Sequence, residues 1–350
     1  MADGEQQHIA ADSIGADRIQ QMIDGLAGAR EEVLPSIFWT SLNKKNISQL
    51  ESGPGYENFK QTVACNYYTW VISPRKDPQT YALMEILPKI EGLACVIRAL
   101  CSKRHKYFGR WRNSFFYNLL TFLLWAHVRR LDQRGDLAKL HEPREGNPPP
   151  VYRGSRLISQ DLAQSYLEYH AIASRADLSR AGTIMELGSG YGRTAFVFLT
   201  LMPAVRYFIV DIPPALYISE RYLSSQFAGR KVFRYRPFSN YAQVKDEIER
   251  AELIFLLPNQ LELLPDKTCD LFINISSFHE MKPKAIAYYF QEIGRLTTRY
   301  FYFKQWKTWT NPEDHIVISE GDYPVGKEWR RIFQQQCAVQ TQFFEALYQL

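Results

Sequence analysis

Residues 184–193 read IMELGSGYGR, and this stretch decides the fold. An apolar run, Thr183–Leu187, leads into glycines at positions 188, 190 and 192, and a helical pattern begins at Arg193. Glycine lets a backbone turn sharply and approach a ligand closely, and the first turn of a helix presents unpaired N–H groups. The pattern predicts a strand, a ligand-binding turn and a helix, and the turn comprises Gly188, Ser189, Gly190 and Gly192.

Apolar runs and helical patterns alternate through the chain that follows this turn. Further strands are predicted at Arg206–Val210, Leu253–Leu257, Cys269–Ile275 and Tyr300–Phe303, and helices at Arg193–Leu201, Ala215–Phe227 and Lys282–Leu296. Strands joined by helices of this length form a parallel α/β sheet. Lys231–Arg236 is a candidate extra strand, so the sequence leaves open which apolar run forms the third strand of the sheet. Trp329–Gln334 and Ala338–Leu347 predict a hairpin that closes the sheet edge.

A boundary is predicted at Glu142–Gly154, because Pro148, Pro149 and Pro150 forbid a helix there. Residues 1–141 are expected to form a mostly helical region, with helices at Ser13–Glu32, Gln79–Arg104 and Asn113–Arg134. The basic and aromatic run Arg98–Arg112 is most simply a solvated helix end. A surface for an anionic substrate or a lipid headgroup is the alternative.

Composition narrows the class of protein. The chain has 350 residues, 46% of them hydrophobic, and 42 basic against 37 acidic residues give a net charge of +5, which is too mild to indicate nucleic-acid binding. Five widely spaced cysteines favour a reduced, cytoplasmic location. The longest apolar run, Ser114–Val128, is shorter than the roughly 20 residues of a bilayer span. We therefore predict a buried helix there, with no transmembrane segment and no signal peptide. The sequence does not indicate an oligomeric state.

The ligand is predicted from two acids near the turn. Asp211 ends the second strand, 21 residues after Gly190, where a carboxylate can accept hydrogen bonds from both hydroxyls of a ribose. Dinucleotide binders use G-x-G-x-x-G, but Arg193 occupies the third glycine position. Glu186 would repel a diphosphate and would suit a ligand with an ammonium and a sulfonium. The pattern favours S-adenosylmethionine over NAD, with a tight turn that binds no ligand as the alternative.

The motif Glu186–Gly192 with Asp211 resembles the cofactor motifs of class I S-adenosylmethionine-dependent methyltransferases. Over Glu142–Leu350 the chain is also similar to a family of sugar O-methyltransferases, in four segments: LISQDLAQSYLEY, VDIPPAL, FINISSFHEM and YFYFKQWK. The resemblance implies a Rossmann-like, seven-stranded sheet whose last strand is antiparallel. It also implies methyl transfer to a hydroxyl of a sugar or glycan, free or nucleotide-linked. Residues 142–350 would be the methyltransferase domain, and residues 1–141 a lid or acceptor wall.

The same resemblance assigns roles around the cofactor. The three glycines would line its methionine and ribose parts, Glu186 would hold the amino group, and Asp211 would bind the ribose. Ile212 would pack on the adenine, and Gln260, after the third strand, is the candidate for the adenine amine.

The catalytic residues are predicted from the loops after the fourth and fifth strands. His279 is the natural general base, because its usual pKa lies near neutral pH, and Glu280 would orient it or act itself. Their spacing with Asp270 does not require a metal, and none is expected. Lys304 and Trp306 would contact the acceptor at the same rim. The alternatives are methylation of a small natural product, or cofactor binding without catalysis.

Overall fold

The structure, a computed structural model, describes residues 15–52, 55–62, 78–103 and 111–350. Cys65 and most of the predicted basic run, residues 104–110, lie outside the described residues. The other four cysteines form no disulfide.

Helices dominate the first part of the described chain. A helix over residues 15–24 (α1) is followed by Ile37–Ser52 (α2), Pro78–Ile86 (α3), Lys89–Cys101 (α4) and Trp111–Leu131 (α5). The predicted single helix Gln79–Arg104 is wrong. It breaks before Pro88, which has no backbone N–H to donate and precedes the first turn of α4. The predicted first helix also stops short, at residue 24 rather than Glu32.

Helix α5 is buried along most of its length, as predicted for the apolar run Ser114–Val128. Its Trp125 indole N–H donates to the carbonyl of Ser159 at 2.9 Å, which ties α5 to the second half of the chain. Within the described part of the chain, no helix combines the length and the apolar character needed to cross a bilayer.

The second half of the chain forms an eight-stranded sheet. A small hairpin, Val151–Arg153 (β1) and Arg156–Ile158 (β2), comes first. The sheet strands are Thr183–Leu187 (β3), Arg206–Val210 (β4), Val232–Phe233 (β5), Leu253–Leu256 (β6), Cys269–Ile275 (β7), Thr297–Trp306 (β8), Arg330–Gln336 (β11) and Phe343–Gln349 (β12). A second small pair, Thr308–Thr310 (β9) and Val317–Ser319 (β10), lies outside the sheet.

The strand order is β11-β12-β8-β7-β3-β4-β6-β5. Strands β3 to β8 of this sheet run parallel, and β12 lies antiparallel between β8 and β11. The predicted closing hairpin is therefore present. The sheet has eight strands rather than the expected seven, because the candidate run at Lys231–Arg236 adds the short edge strand β5 beside β6. Strand β6 is the neighbour of β4 and so takes the third position.

Helices cover both faces of the sheet. They are Gln160–Ala173 (α6), Arg193–Leu201 (α7), Ala215–Gln226 (α8), Lys245–Arg250 (α9) and Pro283–Leu296 (α10). Alternate residues of a strand point to opposite faces. Ile184 and Tyr207 accordingly pack in one apolar cluster with α5 to α8, whereas Met185 and Phe208 pack in a second cluster with α9 and α10. The carboxyl ends of β3, β4, β7 and β8 remain accessible for a site.

Candidate functional site

The glycine turn after β3 has a backbone that only glycine adopts easily. Gly188, Gly190 and Gly192 have φ angles of 76°, 58° and 88°. A Cβ at Gly188 would lie 2.7 Å from the Ser277 hydroxyl oxygen, and one at Gly192 would lie 2.7 Å from a Leu223 methyl carbon. The turn therefore requires glycine for its conformation and for its close packing against neighbouring elements.

Asp211 holds this turn from the end of β4. Its Oδ2 accepts a hydrogen bond from the Gly190 N–H at 2.7 Å, and its Oδ1 accepts one from the Ile212 N–H at 2.7 Å. Burial raises the pKa of Asp211 to about 7, although these two backbone N–H groups oppose the shift. Each carboxylate oxygen has a second lone pair, so Asp211 retains capacity to accept hydrogen bonds from a ligand.

A cavity of about 310 Å³, which we call the loop cavity, lies over the glycine turn. Of the predicted cofactor residues, Gly188, Gly190, Asp211 and Ile212 line it. Another part of its lining comes from the N-terminal chain, including Phe38 and Trp39 of α2. The resemblance implied a lid or acceptor wall from residues 1–141 but indicated none of these particular residues, which lie about 150 positions before the turn.

Glu186 lies two positions after Ile184 and therefore shares its face of β3. It is not among the described residues that line the loop cavity. Its side chain is buried, and its Oε2 accepts a hydrogen bond from the Tyr207 hydroxyl at 2.8 Å. Burial raises the pKa of Glu186 to about 8. A carboxyl with this pKa is mostly neutral at pH 7, and the charge assumed from the sequence would need a nearby cation.

Gln260 is buried in the loop after β6, and both ends of its amide are occupied by backbone groups. Its Oε1 accepts from the Leu257 N–H at 2.9 Å, and its Nε2 donates to the carbonyl of Arg236 at 2.9 Å. It is not among the described residues that line the loop cavity, and neither are Ser189 and Gly192.

A second cavity of about 220 Å³, which we call the rim cavity, lies beside the loop cavity. Lys304 and Trp306, the predicted acceptor residues, both line it, together with Trp309 and Phe343. Phe38, Ser276 and Glu280 line both cavities. The two cavities therefore adjoin, and Glu280 lies at their junction.

A buried ionic cluster forms one wall of the rim cavity. Glu168 of α6 accepts from Arg193 at 2.7 and 3.1 Å and from the Lys304 Nζ at 3.1 Å. Burial alone would raise the pKa of Glu168, but Arg193 and Lys304 together hold it below its usual value. Lys304 also donates to the Gln340 Oε1. The cluster fixes three elements, α6, α7 and β8, at the rim.

His279 and Glu280 lie in a short turn after β7. His279 is only 1% exposed and is not among the described residues that line either cavity. Its Nδ1 is 2.9 Å from the Gln305 Oε1, and its Nε2 is 3.5 Å from the Glu280 Oε1. The structure thus brings the two predicted catalytic residues together, but only Glu280 reaches the cavities.

Asn274 and Gln305 are buried near His279, and the sequence predicted no functional role for either residue. Both are completely buried in strands β7 and β8, and the Gln305 Nε2 donates to the Asn274 Oδ1 at 2.6 Å. Polar amides inside the apolar runs FINIS and YFKQW were a signal, because a buried amide requires hydrogen-bond partners. Among the described residues, no group of three or more His, Cys, Asp or Glu side chains is arranged to hold a metal ion.

The strand order and the antiparallel β12 give this chain the fold of class I S-adenosylmethionine-dependent methyltransferases, with the additional edge strand β5. No protein-family model and no curated protein matches the sequence.

Several solved structures are similar to this chain. An S-adenosylmethionine-dependent methyltransferase from Aquifex aeolicus is 13% identical over 64% of this chain and 96% of its own, with a TM-score of 0.32. The 1,6-didemethyltoxoflavin N1-methyltransferase from Burkholderia thailandensis, solved with S-adenosylhomocysteine, is 14% identical over 54% of this chain and 78% of its own, with a TM-score of 0.33. An arsenic(III) S-adenosylmethionine methyltransferase from Chlamydomonas reinhardtii is 15% identical over 49% of this chain and 64% of its own, with a TM-score of 0.32.

Proposed function

We propose that this protein is an S-adenosylmethionine-dependent O-methyltransferase that acts on a hydroxyl of a sugar or glycan. The observation that carries the proposal is the pair of adjoining cavities with one carboxyl group, Glu280, at their junction. One cavity lies on the glycine turn, and the other has polar and aromatic walls. Two substrates that must meet at one reacting centre require such an arrangement.

The residues of the loop cavity fit S-adenosylmethionine. Gly188 and Gly190 leave room for close approach, Asp211 has lone pairs for ribose hydroxyls, and Ile212 and Tyr289 offer apolar surface to an adenine. The lining includes four acids, Glu31, Glu32, Asp211 and Glu280, against two lysines, Lys282 and Lys284. An excess of acids favours a cationic ligand over the diphosphate of NAD. Glu186 would bind the amino group only through water, since it does not line the cavity.

The rim cavity fits a polyhydroxylated acceptor. Three glutamines, Gln160, Gln164 and Gln340, line it and offer both donors and acceptors of hydrogen bonds. The Gln164 Oε1 and the Trp309 Nε1 are buried without a hydrogen-bond partner in the described chain, so a ligand with hydroxyl groups would satisfy them. The Trp306 and Trp309 rings lie 5.2 Å apart and would cover the apolar face of a sugar ring.

The chemistry needs alignment and removal of one proton. S-adenosylmethionine, when bound, supplies an electrophilic methyl group, and the electron pair of the broken C–S bond stays on sulfur. The acceptor hydroxyl oxygen forms the new C–O bond, and its proton passes to the carboxyl group at the junction. Of the predicted catalytic pair, Glu280 would contact the acceptor and His279 would support it. A cytoplasmic location stays a prediction from the sequence.

Ligand binding tests the cofactor assignment. S-adenosylhomocysteine at 100 times its dissociation constant should stabilise the protein by about 2.7 kcal/mol, and NAD should not. Asp211→Asn should abolish that stabilisation, whereas Asp246→Asn, at an exposed acid outside both cavities, should retain it. Stabilisation by NAD instead, or an unchanged response of Asp211→Asn, would contradict the assignment.

Radiolabelled methyl transfer tests the acceptor. The wild-type protein should label members of a panel of free sugars, nucleotide sugars and oligosaccharides. If only hydroxyl compounds that are not carbohydrates become labelled, the acceptor is a small natural product rather than a sugar. Binding of S-adenosylhomocysteine without transfer to any compound would indicate a non-catalytic binding protein.

A further inference from the structure

A chain of buried amides leads from β3 to the junction of the two cavities. The Asn274 Nδ2 donates to the backbone carbonyl of Leu187 at 2.9 Å and to the Ser277 hydroxyl at 2.6 Å. A backbone carbonyl can only accept, so the nitrogen of the Asn274 amide must face Leu187. The Asn274 Oδ1 must then face Gln305, where it accepts from the Gln305 Nε2 at 2.6 Å.

The orientation of the Asn274 amide determines the orientation of the Gln305 amide. Because Gln305 uses its nitrogen toward Asn274, its Oε1 faces His279 and can only accept. The His279 backbone N–H at 3.4 Å and the His279 Nδ1 at 2.9 Å both point at this oxygen. The proton of a neutral His279 ring must therefore lie on Nδ1, which leaves a lone pair on Nε2.

The Nε2 lone pair faces Glu280. The Glu280 Oε1 lies 3.5 Å away, and the Nε2 has no hydrogen-bond partner in the described chain. Trp309, Trp306 and Phe343 surround the ring at centroid distances of 5.3, 6.3 and 6.4 Å, so it has little freedom to turn away. Two atoms that both carry lone pairs therefore face one another across 3.5 Å.

We propose that Glu280 is the general base of the transfer and that His279 is a positioning residue, held in one tautomer by Asn274 and Gln305. This inference rests on the proposed function. Glu280 lines both cavities and its Oε2 is buried without a hydrogen-bond partner, whereas His279 is sealed behind it. A hydroxyl between the cavities can reach Glu280 directly.

The proton step follows from this arrangement. As the C–O bond forms, the acceptor hydroxyl proton moves to the Glu280 carboxylate, and the electrons of its O–H bond remain on the acceptor oxygen. The negative charge on Glu280 is thereby neutralised.

The hydrogen bonds that run from Asn274 through Gln305 to His279 form what we call the relay. Nitrogen-15 NMR of histidine-labelled protein tests this relay without any turnover. The spectrum should show His279 as a neutral ring with its proton on Nδ1, assigned by comparison with His279→Gln. Gln305→Met removes the acceptor at nearly constant volume and should give a mixture of tautomers. His141→Gln, at an exposed histidine, should leave the His279 signals unchanged. A wild-type ring that is protonated on both nitrogens, or only on Nε2, would overturn the relay.

Kinetics test the base. Glu280→Gln should lower kcat by 100-fold or more, in the range of roughly 10²–10⁴ expected for a general base, with the dissociation constant of S-adenosylhomocysteine unchanged within threefold. His279→Gln should lower kcat by about tenfold at unchanged KM, and Glu280→Asp should recover part of the activity. If Glu280→Gln keeps its kcat while His279→Gln loses it, the base is His279.

These outcomes separate the inference from the proposed function. If the wild-type protein transfers methyl groups and Glu280→Gln is equally active, only the base role of Glu280 is wrong. If the wild-type protein transfers no methyl group, both the proposed function and the base role are wrong. The NMR measurement still shows whether Asn274 and Gln305 hold His279 in one tautomer.

Discussion

Glu186 and Asp211 flank the same glycine turn, and burial dominates the protonation of both. Glu186 accepts one hydrogen bond, from a tyrosine hydroxyl, and its pKa rises to about 8. Asp211 accepts hydrogen bonds from two backbone N–H groups, and its pKa rises to about 7. In both residues burial is the largest cause of the raised pKa, and the hydrogen bonds donated to the carboxylate oppose it because they favour the charged form.

Glu186→Gln should change how stability depends on pH. A carboxyl with a raised folded pKa stabilises the fold fully below its unfolded pKa, near 4.5, and loses that contribution as pH rises through about 8. Glutamine stays neutral and can still accept from Tyr207. Relative to the variant, the wild type should therefore lose on the order of a few kcal/mol of unfolding free energy between pH 5 and 8.

Urea unfolding at several pH values measures this. The variant Glu249→Gln, at an exposed acid, serves as the control and should follow the wild-type curve. Parallel curves for wild type and Glu186→Gln would show that the pKa of Glu186 is not raised in the folded protein.

At the scale of elements, the buried cluster around Glu168 joins α6, α7 and β8. Glu168 is bonded to one cation from α7, Arg193, and to one from β8, Lys304, and all three side chains are 9% exposed or less. Buried charges persist only when they are paired, so each member depends on the others. The cluster also shapes one wall of the rim cavity, which couples the packing of these elements to the acceptor site.

Glu168→Gln should strongly destabilise the protein, because it leaves two buried cations without their carboxylate. Removal of one partner from a buried ion pair costs about 3–5 kcal/mol. Lys245→Gln, at an exposed pair with Glu249, should change the unfolding free energy by less than about 1 kcal/mol. Chemical denaturation measures both, and similar small effects for the two variants would rule out a structural role for the cluster.

At the scale of the molecule, a second buried ion pair ties the N-terminal chain to the sheet domain. The Lys60 Nζ donates to the Glu142 Oε1 at 2.5 Å and to the carbonyl of Pro143 at 3.2 Å. The other Glu142 oxygen accepts from Ser159, the residue that caps α6. Apolar contacts act in the same direction, since Leu120 and Leu124 of α5 share one cluster with Ile158 and Leu162. The domain boundary at residue 142 stays a prediction from the sequence. One apolar cluster contains residues from both sides of that boundary.

A double-mutant cycle tests this tie. Lys60→Met should cost about 3–5 kcal/mol, because Glu142 is left buried and charged. Adding Glu142→Gln should cost less than the sum of the two single changes, with a coupling of about 1–3 kcal/mol. The exposed pair Arg130 and Glu91 provides the matched cycle, where little coupling is expected. Additive effects at Lys60 and Glu142 would contradict the tie.

The sequence alone determined the sheet and the glycine turn, because both depend on local patterns. Strands β3, β4 and β7 lie where their apolar runs predicted, and the glycines and Asp211 follow those strands directly. Contacts between distant segments have no such local signal. Only the tertiary structure brought Phe38 over the glycine turn and aligned Asn274, Gln305 and His279 behind Glu280. It also decided that Glu186 faces away from the loop cavity, since the side of a strand that meets a cavity depends on which helices pack against each face.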